Sequence, residues 1–183
     1  MIRSVCVFCG SAPGARPSYS AAAEELGTAL AHRGITLVYG GGRLGLMGIV
    51  AESALKAGGR VVGVIPRMLI ERELAHVKLT QQHVVNTMHE RKTLMAEMSD
   101  GFVGLPGGMG TFDELVEIVT WAQLGLHAKP VILANIENYF DAMYAMLDYA
   151  VTEKFVTAES RARWRNAESV TRVMQILAGE GIS

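Results

Sequence analysis

The chain has 183 residues, of which half are apolar and 19% are charged. This is the composition of a globular protein and excludes a disordered one. The formal net charge of −1 leaves no basic excess for binding nucleic acid or an anionic membrane, so we expect neither partner. The length predicts a single domain over residues 1–183. Glycine accounts for 20 residues, more than is usual, which indicates loops built from glycine.

The sequence contains no stretch that predicts a membrane span. The longest stretches without an acidic or basic residue, 4–15 and 101–112, have 12 residues each, whereas a transmembrane helix needs roughly 18. The N-terminus enters an apolar run at once, without the charged segment and the cleavage site of a secretory signal. We therefore expect a cytoplasmic protein.

The cysteines and histidines predict no metal site. Cys6 and Cys9 form a C-x-x-C pair, but residues three apart in a strand point to opposite faces, and no second pair completes a zinc site. We interpret both as ordinary buried thiols. The five histidines show no metal-ligand spacing, so we expect neither a metal nor a cofactor.

Short apolar runs alternate with helical patterns along the chain. The predicted strands are 4–8, 35–39, 60–65, 101–105 and 130–134, and the predicted helices are 19–33, 46–57, 87–98, 112–125 and 139–153. A final helix is predicted at 167–178, after a short strand near Trp164. Because the strands are apolar throughout, they are expected to be buried on both faces. This order predicts an α/β fold with a doubly wound parallel β-sheet flanked by helices on both faces.

Glycine-rich turns follow three of the predicted strands. They are Cys9-Gly10-Ser11, Gly40-Gly41-Gly42 and residues 106–111. Tight turns favour glycine for conformational reasons alone. Ligands of doubly wound sheets, however, bind outside the carboxyl ends of the strands. Three such turns at one edge therefore predict a surface where a ligand approaches the backbone.

The second turn has the spacing of a dinucleotide fingerprint, Gly40-x-Gly42-x-x-Gly45. That fingerprint also expects an Asp or Glu about 20 residues later to hold a ribose. Here the third predicted strand is followed by Pro66 and Arg67 instead. The pattern therefore gives little support to NAD, and only slightly more to NADP bound through Arg67.

The turn at 106–111 precedes a helical pattern and lacks the lysine of a Walker A loop. Successive amides at a glycine-rich helix start favour a bound phosphate. A capping box, with Thr111 as N-cap and Glu114 three residues later, is the alternative interpretation. A cap alone does not need three glycines at the ligand edge, which favours the phosphate site.

Glu114 would repel a phosphate bound to the same amides. We therefore expect its carboxylate to face a hydroxyl, a water or a developing positive charge. A nucleoside monophosphate supplies all three, because its anomeric carbon becomes oxocarbenium-like when the glycosidic bond breaks. One carboxylate could stabilise that cation and activate water.

The predicted helix at 87–98 holds a second group of candidate residues. Thr87 and Glu90 form a capping box, so we interpret Glu90 as structural. Arg91 shares a helix face with three methionines, at 88, 95 and 98. A guanidinium in an apolar stripe either meets a carboxylate or phosphate in a pocket or extends to solvent. The nearby acidic loop favours a functional Arg91, whereas we expect Lys92 to be solvated.

Taken together, the motifs resemble those of the LOG ("lonely guy") family. They are Tyr-Gly-Gly-Gly-x-x-Gly-Leu-Met-Gly at 39–48, Met-His-Glu-Arg-Lys at 88–92, Pro-Gly-Gly-Met-Gly-Thr-Phe-Asp-Glu at 106–114, and shorter matches at 6–11, 63–66 and 120–125. The resemblance implies a Rossmann-like fold and a homodimer. It also implies a hydrolase that converts cytokinin riboside 5'-monophosphates to the free base and ribose 5-phosphate, with AMP accepted by many members.

The resemblance also implies roles for individual residues. Arg91 and Glu114 would be the catalytic pair. The phosphate would bind to the loop formed by Gly107, Gly108, Met109, Gly110 and Thr111. The nucleotide site would further be lined by Lys92, Met88, Glu73 and Thr120. Glu73 lies in the stretch 70–74, which otherwise reads as a charged surface helix. The resemblance assigns no acid to the leaving group.

Two rival functions remain open. One is a pyridoxal-phosphate lysine decarboxylase, a label that members of this family have carried. It is disfavoured because no lysine stands out for the Schiff base and because 183 residues is short for such an enzyme. The other is a non-catalytic carrier of a nucleotide or of molybdenum cofactor, since related folds bind such ligands without hydrolysis.

Overall fold

The computed structural model describes residues 2–70, 75–76 and 78–180. Within these residues, seven strands form one sheet in which all neighbouring strands are parallel. The strands are β1 Ser4–Phe8, β2 Thr36–Tyr39, β3 Val61–Pro66, β4 Gln81–Val85, β5 Gly101–Gly104, β6 Val131–Ala134 and β7 Trp164–Ala167. The helices are α1 Pro17–His32, α2 Gly45–Lys56, α3 Met88–Glu97, α4 Met109–Gln123, α5 Asp141–Thr152, α6 Ala158–Ala162 and α7 Val170–Leu177, with short 3-10 turns at Arg67–Leu69 and Ile136–Asn138. None of the described helices is both long and apolar enough to cross a bilayer.

The strand order is β4-β3-β2-β1-β5-β6-β7. The chain first builds outward from β1 to β4, then returns to the other side of β1 and builds outward from β5 to β7. This confirms the doubly wound parallel sheet. The direction of winding reverses between β1 and β5, and it is outside the carboxyl ends of such a pair that ligands bind.

Helices cover both faces of the sheet. The core on one face includes Leu26 of α1, Val50 of α2 and Val173 of α7, whereas the core on the other includes Met95 of α3 and Leu115 of α4. This two-sided burial explains why the central strands are apolar throughout.

The two cysteines lie on opposite sides of the sheet. Cys6 belongs to the core under α3 and α4, and Cys9 belongs to the core under α1 and α2. Both thiols are free and buried. The prediction of two ordinary buried thiols is therefore confirmed.

The structure adds two elements that were not predicted and moves the start of a third. The sequence does not predict β4, because this edge strand is largely exposed and polar. It does not predict α6, because this helix has only five residues. Helix α4 begins at Met109, three residues before the predicted start at 112. The glycines around Met109 predict a later start for this helix, because glycine disfavours a helix interior.

Candidate active site

A cavity of about 180 Å³ opens at the carboxyl ends of β1, β2 and β5, beside the reversal of the sheet. Its lining includes Ser11 from the turn after β1, Gly40 from the turn after β2, Met88 and Arg91 from α3, and residues 108–111, Asp113 and Glu114 around the start of α4. Two of the three predicted turns thus meet the third at one cavity. The candidate pair, Arg91 and Glu114, lines the same space.

Arg91 is the most deeply held charge of this cavity, with only 5% of its surface exposed. Its Nε donates a hydrogen bond to the carbonyl of Val64 (3.2 Å), and its Nη2 donates one to the carbonyl of Gly40 (2.9 Å). These carbonyls offset part of the cost of burying a guanidinium. Arg91 therefore lies in a pocket and does not extend to solvent.

Gly40 makes room for this guanidinium. A Cβ atom added at Gly40 would overlap Nη2 of Arg91 and would lie 3.1 Å from its Cζ. The first glycine of the apparent dinucleotide fingerprint thus serves a close approach of a side chain. This gives Gly40 a physical role that needs no dinucleotide.

The start of α4 does not have the predicted capping box. Its N-cap is Gly108, which has no side chain to accept a hydrogen bond, and the amide of Phe112 donates to the carbonyl of Gly108 (3.0 Å). Thr111 is therefore the third residue of the helix and is buried, so the capping interpretation is wrong. The amides of 108–111 lie before the helical hydrogen-bond ladder and can bind an anion.

The predicted N-cap of α3 is confirmed, but the acid of the capping box binds the amide one residue before the N-cap. Thr87 is the N-cap, and its hydroxyl accepts a hydrogen bond from the amide of Glu90 (3.0 Å). The Glu90 carboxylate in turn accepts from the amide of Asn86 (2.8 Å). Glu90 therefore has the structural role that the sequence predicts.

The pKa of Cys9 depends on two charged residues of the cavity that it helps to line. Burial raises the pKa of its thiol above the usual range; the negative charge of Glu114 raises it further, and the positive charge of Arg91 lowers it. Both charged groups therefore lie close enough to act on one sulfur atom. The thiol itself remains protonated at neutral pH.

Lys92 ties α3 to α4 next to the cavity. Its Nζ lies 2.9 Å from a carboxylate oxygen of Glu117 and 3.0 Å from one of Asp113. Burial alone would lower the pKa of Lys92, but the hydrogen bonds with these two carboxylates outweigh it and raise the pKa. The pair formed with Asp113 weakens the repulsion that this carboxylate would exert on an anion at the start of α4.

Comparisons with known proteins identify the family. A family model described as "Possible lysine decarboxylase" matches residues 47–177. "Probable cytokinin riboside 5'-monophosphate phosphoribohydrolase LOGL5" of Oryza sativa subsp. japonica is 52% identical over 159 residues, or 87% of this chain and 65% of that protein. "Cytokinin riboside 5'-monophosphate phosphoribohydrolase LOG1" of Arabidopsis thaliana is 48% identical over 159 residues, or 87% of this chain and 75% of that protein. The chain belongs to the LOG family. It spans about two thirds of the length of the first of these relatives.

Solved structures share the fold of this LOG protein. The X-ray structure of TM1055 has a TM-score of 0.73 and 25% identity, covering 97% of this chain and 99% of that one. A Moco carrier protein from Chlamydomonas reinhardtii also has a TM-score of 0.73, with 21% identity over 98% of this chain and 97% of that one. At this low identity the carrier protein supports the fold alone.

Other predicted site residues of the LOG protein lie outside the lining of the cavity. Thr120 is exposed, and its hydroxyl donates to the carbonyl of Val116 in its own helix (2.7 Å). Gly107 lies behind the cavity, where a Cβ atom would overlap the Thr111 side chain. Lys92 is beside the cavity, in the ion pairs described above. Glu73 lies outside the described residues.

The cavity is also lined by residues that are not among the predicted site residues. Cys9, Ser11, Gly40 and Met47 contribute to its lining. The signal that points to Ser11 and Gly40 is their place in turns at the ligand edge, but neither residue type indicates a specific contact with a ligand there. Within the described part of the chain, no cluster of three or more His, Cys, Asp or Glu side chains could hold a metal ion.

Proposed function

We propose that this LOG protein hydrolyses the N-glycosidic bond of adenosine 5'-monophosphates, including N6-prenylated ones, and releases the free base and ribose 5-phosphate. The observation that carries the proposal is the enclosure of Arg91 and Glu114 in one cavity, beside the amides that start α4. The names of the relatives from Oryza sativa and Arabidopsis thaliana, at 52% and 48% identity, describe this activity for those proteins.

The phosphate binds to the amides of residues 108–111. These amides precede the helical ladder of α4, and the helix dipole favours an anion at this end. Gly108 and Gly110 have open space where a side chain would begin, so a ligand can approach the backbone closely. Lys92 supports the binding by pairing with Asp113.

The chemistry takes place at the anomeric carbon. Glu114 accepts a proton from water as the water oxygen attacks this carbon, and its negative charge stabilises the oxocarbenium character of the transition state. Arg91 orients the ribose or the Glu114 carboxylate with charge-assisted hydrogen bonds. As the bond from the anomeric carbon to the water oxygen forms, the bond to the base nitrogen breaks; the departing base takes up a proton from solvent, and Glu114 returns to solvent the proton that it accepted.

The volume of the cavity supports a position of the base at its mouth. About 180 Å³ is less than the ~300–1,000 Å³ typical of ligand pockets, so it suits the ribose phosphate better than a whole nucleotide. The base then lies at the mouth, where Met88 and the 82% exposed Met109 offer apolar contacts. An open mouth tolerates a prenyl group on N6, so both AMP and its prenylated form are expected to react.

The test is release of base by Glu114→Gln. This change keeps the shape of the side chain but removes the base, so kcat for AMP and for N6-isopentenyl adenosine monophosphate should fall about 10²–10⁴-fold. Glu24→Gln, at an exposed position of α1, is the matched control and should keep wild-type activity. Undiminished turnover by Glu114→Gln would contradict the assignment. Nucleotide binding by the wild type without base release would favour the carrier function instead.

The residues of the cavity do not fit pyridoxal phosphate. That cofactor needs a lysine for its Schiff base, and among the described residues no lysine lines the cavity. The nearest candidate, Lys92, is held as a cation by Glu117 and Asp113. The structure therefore gives no support to a lysine decarboxylase.

A homodimer accounts for apolar side chains on the outside of α4 and in the turn that follows it. Val116, Leu124 and Leu126 are all exposed in the single chain. Burial of such a surface between two copies would stabilise a dimer. Light scattering on the purified protein should give twice the chain mass of 19.7 kDa.

The single domain over 1–183, the cytoplasmic location and the lack of nucleic-acid and membrane partners stay predictions from the sequence.

A further inference from the structure

We infer that Tyr139 is a positioning residue of the phosphate site, because it fixes the peptide between Gly107 and Gly108. This inference rests on the proposed binding of a phosphate at the start of α4. Tyr139 itself lies behind the site, in an adjacent cavity of about 200 Å³ lined also by Tyr19 and Gly107. Its action on the ligand is therefore indirect.

The contact that carries the inference is a hydrogen bond from the Tyr139 hydroxyl to the carbonyl of Gly107. The carbonyl of the preceding residue, Pro106, is also held, because it accepts a hydrogen bond from the amide of Gly10 (3.1 Å). Two consecutive carbonyls of the loop are thus held by hydrogen bonds.

The orientation of the carbonyl determines the orientation of the next amide. No cis peptide bond occurs in the described residues, and in a trans peptide the C=O and the N–H point in opposite directions. When Tyr139 draws the Gly107 carbonyl towards itself, the Gly108 N–H must point away from Tyr139. Gly108 lines both cavities, so this direction leads to the side where the phosphate is proposed to bind.

Glycine makes this control necessary. Gly107 and Gly108 restrict their own backbone little, so the peptide between them can rotate unless an external contact holds it. Tyr139 supplies that contact. A correctly aimed N–H binds a phosphate without having to reorganise when the ligand arrives.

The Tyr139 ring packs against other aromatic rings. It makes an edge contact with Tyr19 (ring centroids 5.7 Å apart) and a stacked contact with Phe112 in the first turn of α4 (6.5 Å). Its hydroxyl and its ring therefore contact the same helix start from two sides.

The turn that presents Tyr139 is unusual. Glu137 and Asn138 both have positive φ, at 54° and 59°, a conformation that non-glycine residues rarely adopt. The buried side chain of Asn135 holds this turn by accepting a hydrogen bond from the amide of Phe140 (2.7 Å) and donating one to Asp141 (2.8 Å). Strained backbone persists where the surrounding structure enforces it, and here it delivers the tyrosine to the loop.

The test compares Tyr139→Phe with the wild type in the intact protein. The phenylalanine keeps the ring packing and removes only the hydroxyl. We expect KM for AMP and Kd for ribose 5-phosphate to rise about tenfold, the size expected when the hydrogen bond from the Gly108 amide to the charged phosphate is lost. We expect kcat to change little, because Arg91 and Glu114 are untouched. Tyr149→Phe, which removes a hydroxyl from an exposed tyrosine of α5, is the matched control and should behave as the wild type.

A second measurement observes the Gly108 amide directly in both proteins. In the ¹H–¹⁵N spectrum of the wild type, the Gly108 amide should shift when ribose 5-phosphate is added, and in Tyr139→Phe the shift should be smaller. An unshifted Gly108 amide, or equal Kd values in the two proteins, would overturn the inference. If the wild type binds AMP but releases no base, weaker binding by Tyr139→Phe would still support Tyr139 while the hydrolase proposal fails. If the wild type binds neither AMP nor ribose 5-phosphate, both proposals fail.

Discussion

Gly40→Ala should disable the site without changing a chemical group in it. The added Cβ atom would overlap Nη2 of Arg91, whereas the other two nearest atoms, Cζ of Arg91 and Sδ of Met47, lie at 3.1 and 3.3 Å. The φ of Gly40 is not positive, so alanine fits its backbone. The substitution therefore acts through the guanidinium of Arg91.

The structure gives the size of the effect. A displaced guanidinium loses its hydrogen bond to the Gly40 carbonyl and strains the one to Val64. A hydrogen bond to a charged group contributes about 1.5–3 kcal/mol, so the free energy of unfolding should fall by about that amount. Because Arg91 also leaves its place in the cavity, kcat/KM for AMP should fall about 10²–10³-fold, as when one stabilising donor is removed from an active site.

A double-mutant cycle with Arg91→Ala separates this explanation from a general intolerance of Gly40. With the guanidinium absent, Gly40→Ala should no longer destabilise, and could stabilise by about 0.4–1 kcal/mol because alanine restricts the unfolded chain. The assays are urea unfolding and initial rates of adenine release for the wild type, both single variants and the double variant. If Gly40→Ala costs the same free energy in both backgrounds, the reasoning is refuted, because the glycine would then serve something other than Arg91.

Two further predictions concern titratable groups. The amides of Arg3 and Ser4 hold the pKa of Asp100 below its usual range, although burial opposes this. The resulting stabilisation is present above the unfolded pKa and lost as the pH falls through the lower folded pKa. Asp100→Asn should therefore lower the free energy of unfolding at pH 7, and its difference from the wild type should shrink as the pH falls through the folded pKa, as urea unfolding over a series of acidic pH values would show. Burial and the charge of Glu114 keep Cys9 protonated despite the opposing charge of Arg91, so iodoacetamide should label it slowly in the native protein at pH 7.5 and readily in urea. Peptide mapping that finds native Cys9 labelled as fast as a free thiol would contradict this.

The buried strands of the fold could be predicted well because their apolar runs are unbroken. The strand at 4–8 was predicted with its correct ends, and β2 differs by one residue at its start. β4 could not be found in the same way. Its residues Gln81-Gln82-His83 are polar because the strand lies at the edge of the sheet, where one side needs no apolar partner.

The site could be predicted in part because its chemistry is concentrated in two short motifs. Arg91 stood out as a cation in an apolar stripe, and Glu114 as an acid beside an anion site. The roles of Gly40 and Tyr139 could not be predicted, because each depends on a contact between distant parts of the chain: Gly40 with Arg91 across 51 residues, and Tyr139 with Gly107 across 32. No local pattern reports such a contact.

A Moco carrier protein superposes on this chain with a TM-score of 0.73. The fold is therefore compatible with both a hydrolase and a carrier function. The argument for hydrolysis depends on what the sheet edge holds. An amide-rich helix start would suffice to bind a phosphate, but it does not explain why Arg91 is buried at 5% exposure against backbone carbonyls, in a space kept open by Gly40. Burying a cation is costly unless hydrogen bonds and opposite charges compensate it, so several favourable contacts are needed to place this guanidinium in the cavity. A guanidinium held in the same cavity as Glu114 can orient that carboxylate or the ribose, while the negative charge of Glu114 stabilises the positive charge of the transition state, and this is why the proposal rests on the pair and not on the fold.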